Sequence, residues 1–389
     1  MKYILGVIIA LFLVIPSSAY SQQSGQGKAN QPAPAKVEQP TPTLAAAKEE
    51  QPAFFTKING DCLIRPKNGP QAGKWVRVAN PGQKIYSGDD ILVRTGDVEV
   101  ELYSETTVKL QAECMVTYFQ SRENIRPLAF IRPDYPTTKI KVTKGTIFAK
   151  VSPFEISKHF VVFDTPSGVA GVRGTKFSLS VSDDGQLSIT TEDGKVMVAD
   201  PSGNFTVDIG AGVQAILKKN PDGSFSIQSP VGQAVAYSPN TTFKIGQGGK
   251  LDLDLDESGT TKATVPEGST GSVNVQIGNI QANLSSGQGV NLGSEGGGTT
   301  VESVGSGTVF TTVDGKNVVS MDNGEKVLVK VDQNGTSIEG QSGTPSVTGS
   351  DGQPRDLQSG EKIKVDNNNQ VNIEGPPCTP SVSPYKTCP

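Results

Sequence analysis

The residues that could do chemistry are few and scattered. The chain holds one histidine (His159), one tryptophan (Trp75) and four cysteines (Cys62, Cys114, Cys378 and Cys388). One histidine cannot build a multi-histidine metal site, and a histidine-based triad would rest on His159 alone. That residue lies in Lys158-His159-Phe160, a strand-like context with no nucleophile motif beside it. No G-x-S-x-G, H-E-x-x-H or phosphate-binding loop occurs. Leu251-Asp252-Leu253-Asp254-Leu255-Asp256 places carboxylates at every second position. An EF-hand loop would need glycine where Glu257 stands and glutamate where Ala263 stands. The period of two describes a strand with one acidic, solvated face. Other carboxylates are plentiful, but nothing pairs them for acid–base work. The expectation is a chain without catalysis, cofactor or metal.

The surroundings of these residues set their compartment. Met1-Lys2-Tyr3 precedes an apolar run from Ile4 to Ile15, then Pro16-Ser17-Ser18-Ala19. One positive charge, a short apolar core and a small-x-small ending describe a secretory signal peptide over 1–19, cleaved before Tyr20. An uncleaved anchor is the alternative, but twelve apolar residues span about 18 Å, short of a ~30 Å hydrocarbon core. No later segment is apolar enough to span a membrane, so none is expected after cleavage. Export makes disulfides possible. Four cysteines allow three pairings. The favoured reading joins Cys62 to Cys114, both on predicted strands, and Cys378 to Cys388 across a Pro-rich tail; free buried thiols are the alternative. No pair has the Cys-x-x-Cys spacing of a zinc site.

The chain of 389 residues carries 44 glycines, 26 prolines and a formal net charge of -4. Mild acidity speaks against a general nucleic-acid binder, which needs a basic field. Residues 20–52 contain only Val37 and Leu44 as large aliphatics, with prolines spread through them. That composition describes a disordered, semi-rigid linker. Beyond it, Lys74-Trp75-Val76-Arg77-Val78, Asp90 to Arg94, Val98 to Leu102 and Val108 to Ala112 alternate apolar with polar. Period two broken by Gly, Pro, Asp and Ser means half-buried strands. No window shows a sustained helical stripe, so the body is expected to be all-β. Asp183-Asp184-Gly185 and Asp193-Gly194 are hairpin signals.

A weak repeat follows. Gly212-Val213-Gln214 leads to Leu217, Asp222-Gly223 and Phe225; Gly324-Glu325-Lys326 leads to Val329, Asn334-Gly335 and Ile338; a shortened copy starts at Gly360. Each reads strand, turn, strand. Recurring two-strand units imply a solenoid-like or sandwich-like stack, and the irregular spacing speaks against a strict solenoid. From Gly246 onward there are 24 glycines and two aromatics, Phe310 and Tyr385. Hairpins with a poor core are expected there, with Ser294 to Thr300 as a flexible break. The expected organisation is 53–230 as one β domain, 231–375 as a Gly/Ser/Thr-rich, partly flexible β-repeat region and 376–389 as a Cys/Pro-rich tail.

One segment stands out. Thr165-Pro166-Ser167-Gly168-Val169-Ala170-Gly171-Val172-Arg173-Gly174-Thr175-Lys176-Phe177 resembles the hallmark of the FecR family, the periplasmic sensor domain of iron-transport regulators. Trp75 with Gly82, Ser87-Gly88-Asp89 and Arg94-Thr95-Gly96 resemble the opening strands of that family. Gly145-Thr146-Ile147-Phe148-Ala149 resembles the strand before the hallmark. Glu192-Asp193-Gly194-Lys195-Val196 and Gly212-Val213-Gln214 resemble the closing strands. The likeness covers roughly residues 55–220, with several pieces in order. It implies an all-β, repeat-like sensor or scaffold module without catalysis. Family regulators carry a cytoplasmic segment that controls a sigma factor and also contact an outer-membrane transporter. Here only three residues precede the apolar run, so an exported, stand-alone relative is expected, periplasmic or on the cell surface.

Within the hallmark, Pro166 stiffens the entry, Gly171 and Gly174 permit unusual φ or close packing, and Thr175 can bond a nearby turn. Arg173 is expected either to staple a strand crossover or to recognise an anionic group. A second segment, from Val116 to Lys139, carries Arg122, Arg126 and Arg132 amid Phe130 and Tyr135, plus prolines. Arginine and aromatics are enriched at binding hot spots, whereas the plainer reading has them covering a sheet edge. The expected partner is an envelope protein or glycan. An adhesin-like protein with an extended C-terminal stalk is the alternative.

Overall fold

The computed structural model describes residues 52–102, 106–121, 137–152, 160–312 and 315–375. Every regular element among them is a strand. Ten strands come first: β1 (Ala53–Arg65), β2 (Val76–Arg77), β3 (Lys84–Ile85), β4 (Asp90–Glu101), β5 (Thr107–Gln111), β6 (Cys114–Ser121), β7 (Thr137–Lys150), β8 (Phe160–Thr165), β9 (Gly168–Val181) and β10 (Leu187–Ala199). Shorter ones follow: β11 (Thr206–Gly210), β12 (Gln214–Lys219), β13 (Phe225–Val231), β14 (Ala234–Ser238), β15 (Thr241–Ile245), β16 (Gly249–Leu255), β17 (Thr261–Thr264), β18 (Val273–Ile277), β19 (Ile280–Leu284) and β20 (Gln288–Glu295). The last are β21 (Gly298–Gly305), β22 (Thr308–Thr312), β23 (Val318–Met321), β24 (Lys326–Asp332), β25 (Gly335–Ser342), β26 (Ser346–Thr348), β27 (Pro354–Asp356), β28 (Lys362–Asp366) and β29 (Val371–Glu374).

The pairings sort these strands into two facing layers. Sheet one runs β2, β1, β4, β6, β7, β8, β9, β10, β11, β14, β15, β18, β19, β22, β23, β26, β27. Sheet two runs β3, β1, β4, β5, β7, β9, β10, β12, β13, β16, β17, β20, β21, β24, β25, β28, β29. The long strands β1, β4, β7, β9 and β10 appear in both because each bends midway and gives one half to each sheet. In β10, for example, Leu187 to Thr190 pair with β12, and Lys195 to Ala199 pair with β11. After β10 the chain deals out hairpins alternately, β12–β13 to sheet two, β14–β15 to sheet one, and so on to β28–β29. Each hairpin lengthens its sheet by about 10 Å, two strand spacings. Of the two stacks expected from sequence, this is the sandwich.

The alternation of apolar and polar residues explains the layering. In β12, Ala215 and Leu217 are buried while Gln214, Ile216 and Lys218 are not. The inward side chains of both sheets form one core that runs from Ala53 to Val365. Phe55, Phe163, Phe177, Phe225, Phe243 and Phe310 are its largest fully buried rings, and Phe163 meets Phe177 edge-to-face at 5.2 Å. The expectation of a poor core behind Gly246 is not met. Val273, Leu284, Val327, Ile338, Val347 and Ile363 are all fully buried there. Paired valine and leucine strands suffice because the two sheets already exclude water from between them. Likewise Ser294 to Thr300 is no break: it is the tip of the β20–β21 hairpin, with Ser294 opposite Thr299.

Aspartates shape many tips. Asp200, Asp222, Asp256, Asp332 and Asp366 each accept the backbone N–H of the residue two places on. Such side-chain turns are what Asp supplies at a chain reversal. Asp256, the last of the alternating aspartates, has this role, while Asp252 and Asp254 sit on the outward face of β16 beside buried Leu251 and Leu253.

Candidate functional site

The bends have a consistent location until the hallmark, and then it changes. β1, β4 and β7 cross from sheet to sheet at Gly60, Gly96 and Gly145, all at positive φ. These three lie on one flank of the sandwich, where Gly60 is opposite Gly96 and Gly145 abuts Cys114. β9 and β10 cross at Gly174 and Gly194 on the opposite flank. Every later crossing stays there, at Gly212, Gly232, Gly248, Gly268, Gly287, Gly305, Gly324, Gly343 and Gly360, with φ between +73° and +84°. The sequence repeat at Gly212, Gly324 and Gly360 samples this row.

The switch of flank requires β8. In sheet two, β7 pairs directly with β9, but in sheet one β8 lies between them, parallel to β7 and antiparallel to β9. The extra strand reverses the direction in which the following chain enters sheet one. The hallmark supplies both the turn out of β8 and the bend of β9. At the turn, Thr165 Oγ1 donates to the carbonyl of Gly168 (2.7 Å) and accepts its N–H (3.1 Å). Ser167 Oγ donates to the Gly185 carbonyl (2.6 Å) and accepts the Lys219 N–H (3.3 Å). The β8–β9 turn of sheet one is thereby latched to the β9–β10 turn and to the end of β12 in sheet two. Pro166 packs there: a Cβ on Gly185 would meet its ring at 3.2 Å.

At the bend, Thr175 Oγ1 donates to the Lys195 carbonyl (3.0 Å), and a Cβ on Gly194 would lie 2.7 Å from the Gly174 carbonyl. Gly171 pairs with Met197 on one side and Val162 on the other. Arg173 holds the register position opposite Lys195, and its side chain lies outside the described residues. Of the hallmark residues singled out from sequence, Pro166 lies at the β8–β9 turn, and Gly174 and Thr175 lie at the bend, at the other end of the sheet-one half of β9. Ser167 was missed, although Ser between Pro and Gly is itself a turn signal.

The opening pieces have their own ties. Asp89 is buried and accepts the N–H groups of Lys67 (3.0 Å) and Tyr86 (2.9 Å). Asp90 accepts two bonds from Arg65 and one from Thr117, and Arg65 lies 4.8 Å from the Trp75 ring centroid. These contacts fasten β1, β2, β4 and β6 at the outer end of sheet one.

Two expectations on the cysteines divide. Cys62 and Cys114 are free and buried. Both are paired with Val93, one on each side, so a whole strand separates them. Two strand spacings put their Cα atoms about 10 Å apart, beyond the ~7 Å limit for a disulfide. The predicted bridge is therefore corrected to two free thiols, each pushed by burial up to about 12. Cys378 and Cys388 lie outside the described residues, as does His159.

The candidate loop residues Arg122, Arg126, Phe130, Arg132 and Tyr135 also lie outside the described residues. Its roots do not: Ser121 at the end of β6 pairs with Thr137 at the start of β7.

Against known proteins, residues 89–197 match the family model described as FecR protein. That stretch is a FecR domain. It runs from the buried Asp89 to the sheet-one half of β10, and so contains the switch of flank and its latch; it is narrower than the span expected from sequence. The chain is also similar to the crystal structure of a "putative anti-sigma factor" from Parabacteroides distasonis ATCC 8503, at 20% identity, over 36% of this chain and 59% of that one, with a TM-score of 0.27. A second crystal structure of the same description matches at 22% identity with the same coverage and TM-score. The alignment therefore spans less than two thirds of those chains. No curated protein matches. No helix among the described residues is long and apolar enough to cross a membrane.

Proposed function

We propose that this chain is an exported, non-catalytic FecR-type β module that acts as a sensor or scaffold and binds an envelope protein or glycan. The observation that carries this reading is the root of the 122–136 segment. Ser121 and Thr137 are adjacent, paired strand ends within the FecR domain, so the segment is mounted on a rigid two-strand base. Its arginines and aromatics are contact residues by type. Because the roots are neighbours, the segment can be replaced by a short turn without unpairing β6 and β7. The test is capture of partners from envelope fractions by the full chain and by a variant with 122–136 replaced by Asn-Gly. Loss of the captured partner with unchanged thermal unfolding supports the reading; retained capture overturns it.

A second reading, a structural stalk, is favoured by the hairpin array itself. From β11 on, each hairpin adds to the length of one sheet and none folds back among the described strands. Small-angle scattering on a variant ending after β19 tests it: a shortened maximum dimension with an unchanged cross-section is expected, and an unchanged maximum dimension would sink it.

A further inference from the structure

The two sheets do not end together. Beyond β10, nine described strands follow in sheet one, ending at β27, and ten in sheet two, ending at β29. Sheet two therefore overhangs by one strand. On that strand Val371 and Ile373 stand opposite the buried Val365 and Ile363, so they share the face that looks toward sheet one. The β26–β27 turn partly covers Val371: a Cβ on Gly349 would meet its Cγ2 at 3.1 Å. Ile373 lies beyond that turn and is 58% exposed, more than any other large hydrophobic side chain among the described residues. An inward-facing isoleucine with no facing layer marks the place of one further strand in sheet one.

The backbone has room for that strand. Among the described strands β27 pairs only with β26. The N–H of Leu357 donates to the Pro345 carbonyl on the β26 side, so alternation aims the N–H and carbonyl of Asp356 at the open side. Arg355, the inward position of β27, already donates to Asp351 and to the Gln353 carbonyl, so it leaves no unpaired charge beside an incoming apolar residue. On β29 the same alternation, set by Asp366 donating to the Gln370 carbonyl, aims the N–H groups of Val371 and Ile373 at the open edge of sheet two.

The sequence supplies the occupant. Residues 376–389 lie outside the described residues, and within them Thr379-Pro380-Ser381-Val382-Ser383 repeats Thr344-Pro345-Ser346-Val347-Thr348 with one change. The earlier copy is β26 with the two residues before it, and its Val347 is fully buried. The spacing is in phase. The sheet-one hairpins begin at Ala234, Val273, Thr308 and Ser346, in steps of 39, 35 and 38 residues, and Ser381 follows Ser346 by 35. The connection also fits. Two to eight residues separate the last strand of a sheet-two hairpin from the next sheet-one strand in β17 to β18, β21 to β22 and β25 to β26, and six lie between Glu374 and Ser381. We infer that Thr379 to Ser383 docks beside β27 as the closing strand of sheet one, with Val382 facing inward over Ile373 as Val347 does one repeat earlier. Stacked arrays need such a terminal cap, because an open apolar end recruits other chains. The capping is independent of the 122–136 segment.

The test uses the full chain, methyl NOE spectroscopy on an Ile/Leu/Val-labelled sample and residue-resolved amide exchange. The expected results are an NOE between the Val382 and Ile373 methyl groups, slow exchange at Asp356 and fast exchange at Ile373, whose edge the new strand leaves open. Val382→Asp is expected to speed exchange at Asp356 about tenfold or more, by releasing a terminal element, while the Phe243 amide in the core of the array stays protected. Ser381→Ala, on the outward side of the docked strand, is expected to leave Asp356 as in the unsubstituted chain. Absence of the NOE overturns the inference, as does exchange at Asp356 that Val382→Asp does not alter. Slow exchange at Ile373 with fast exchange at Asp356 also overturns it, since a strand of the tail or of a second copy would then be pairing with β29. An NOE seen only between differently labelled copies in a mixed sample would overturn it in favour of strand exchange between two chains.

Discussion

Ser167 in the turn between β8 and β9 donates its hydroxyl proton to the carbonyl of Gly185, 2.6 Å away, in the turn between β9 and β10. The two turns belong to different sheets, and the same oxygen accepts the N–H of Lys219. One buried hydroxyl therefore satisfies two backbone groups at the point where the chain changes the flank on which it crosses.

Ser167→Ala leaves both backbone groups without that partner. A buried group stripped of its partner costs about 1–3 kcal/mol. The variant is expected to unfold at lower denaturant with an unchanged m-value, measured by chemical denaturation. A midpoint equal to wild type would mean that the latch is filled by water and contributes nothing.

Gly96 and Gly212 share a φ of +76° but differ in surroundings. Nothing lies within 4 Å of where a Cβ on Gly212 would be, whereas on Gly96 it would lie 1.8 Å from the Asn59 carbonyl oxygen. Gly212→Ala is expected to cost only the left-handed conformation, about 1–2 kcal/mol. Gly96→Ala adds a backbone collision between β1 and β4, so it is expected to destabilise much more or to prevent folding. Thermal denaturation of the two variants checks this; equal losses would show that β1 can move away from β4.

How much of this was legible in sequence follows from what each feature depends on. Strand alternation and Asp-Gly turns are local, so the all-β class and most hairpins could be read directly. The hallmark could be read as a motif, and Thr175 and Gly174 do lie at a bend. The sheet in which a hairpin falls is not local. β12–β13 and β14–β15 look alike in sequence, and only the pairing of β13 with β16 separates them. The Cys62–Cys114 bridge failed for the same reason: both residues were rightly placed on strands, but the strand bearing Val93 between them is set by register.

The two thiols give a redox prediction. Cys62 and Cys114 are fully buried, and burial disfavours the thiolate, raising both to about 12. Neither should react with a thiol-specific disulfide reagent at pH 8 in the native protein, and both should react in guanidinium. A group whose proton is held more tightly in the folded state stabilises it fully below the unfolded value of about 9 and loses that contribution toward about 12. Stability should therefore fall in that alkaline window, and less so in Cys114→Ala once its own packing loss is subtracted. Rapid native labelling at pH 8 would contradict the burial.

The acid side is governed by surface pairs. Lys218 Nζ lies 2.6 Å from Asp184 Oδ2, and Ser182 donates to the same carboxylate, so Asp184 is lowered to about 2. Because the folded value is depressed, the stabilising contribution is present above the unfolded value near 4 and disappears as pH falls toward 2. Asp184 is fully exposed, so the global effect should be small and salt-sensitive. The informative readout is local. In Lys218→Gln, a carbon-detected NMR titration should show the Asp184 midpoint moving up toward the ordinary carboxylate range. Asp351, lowered to about 2 by Arg355, should titrate as before and serves as the internal reference. An Asp184 midpoint that stays near 2 in the variant would assign its depression to Ser182 and the turn backbone instead of to the bridge between the β9–β10 turn and β12.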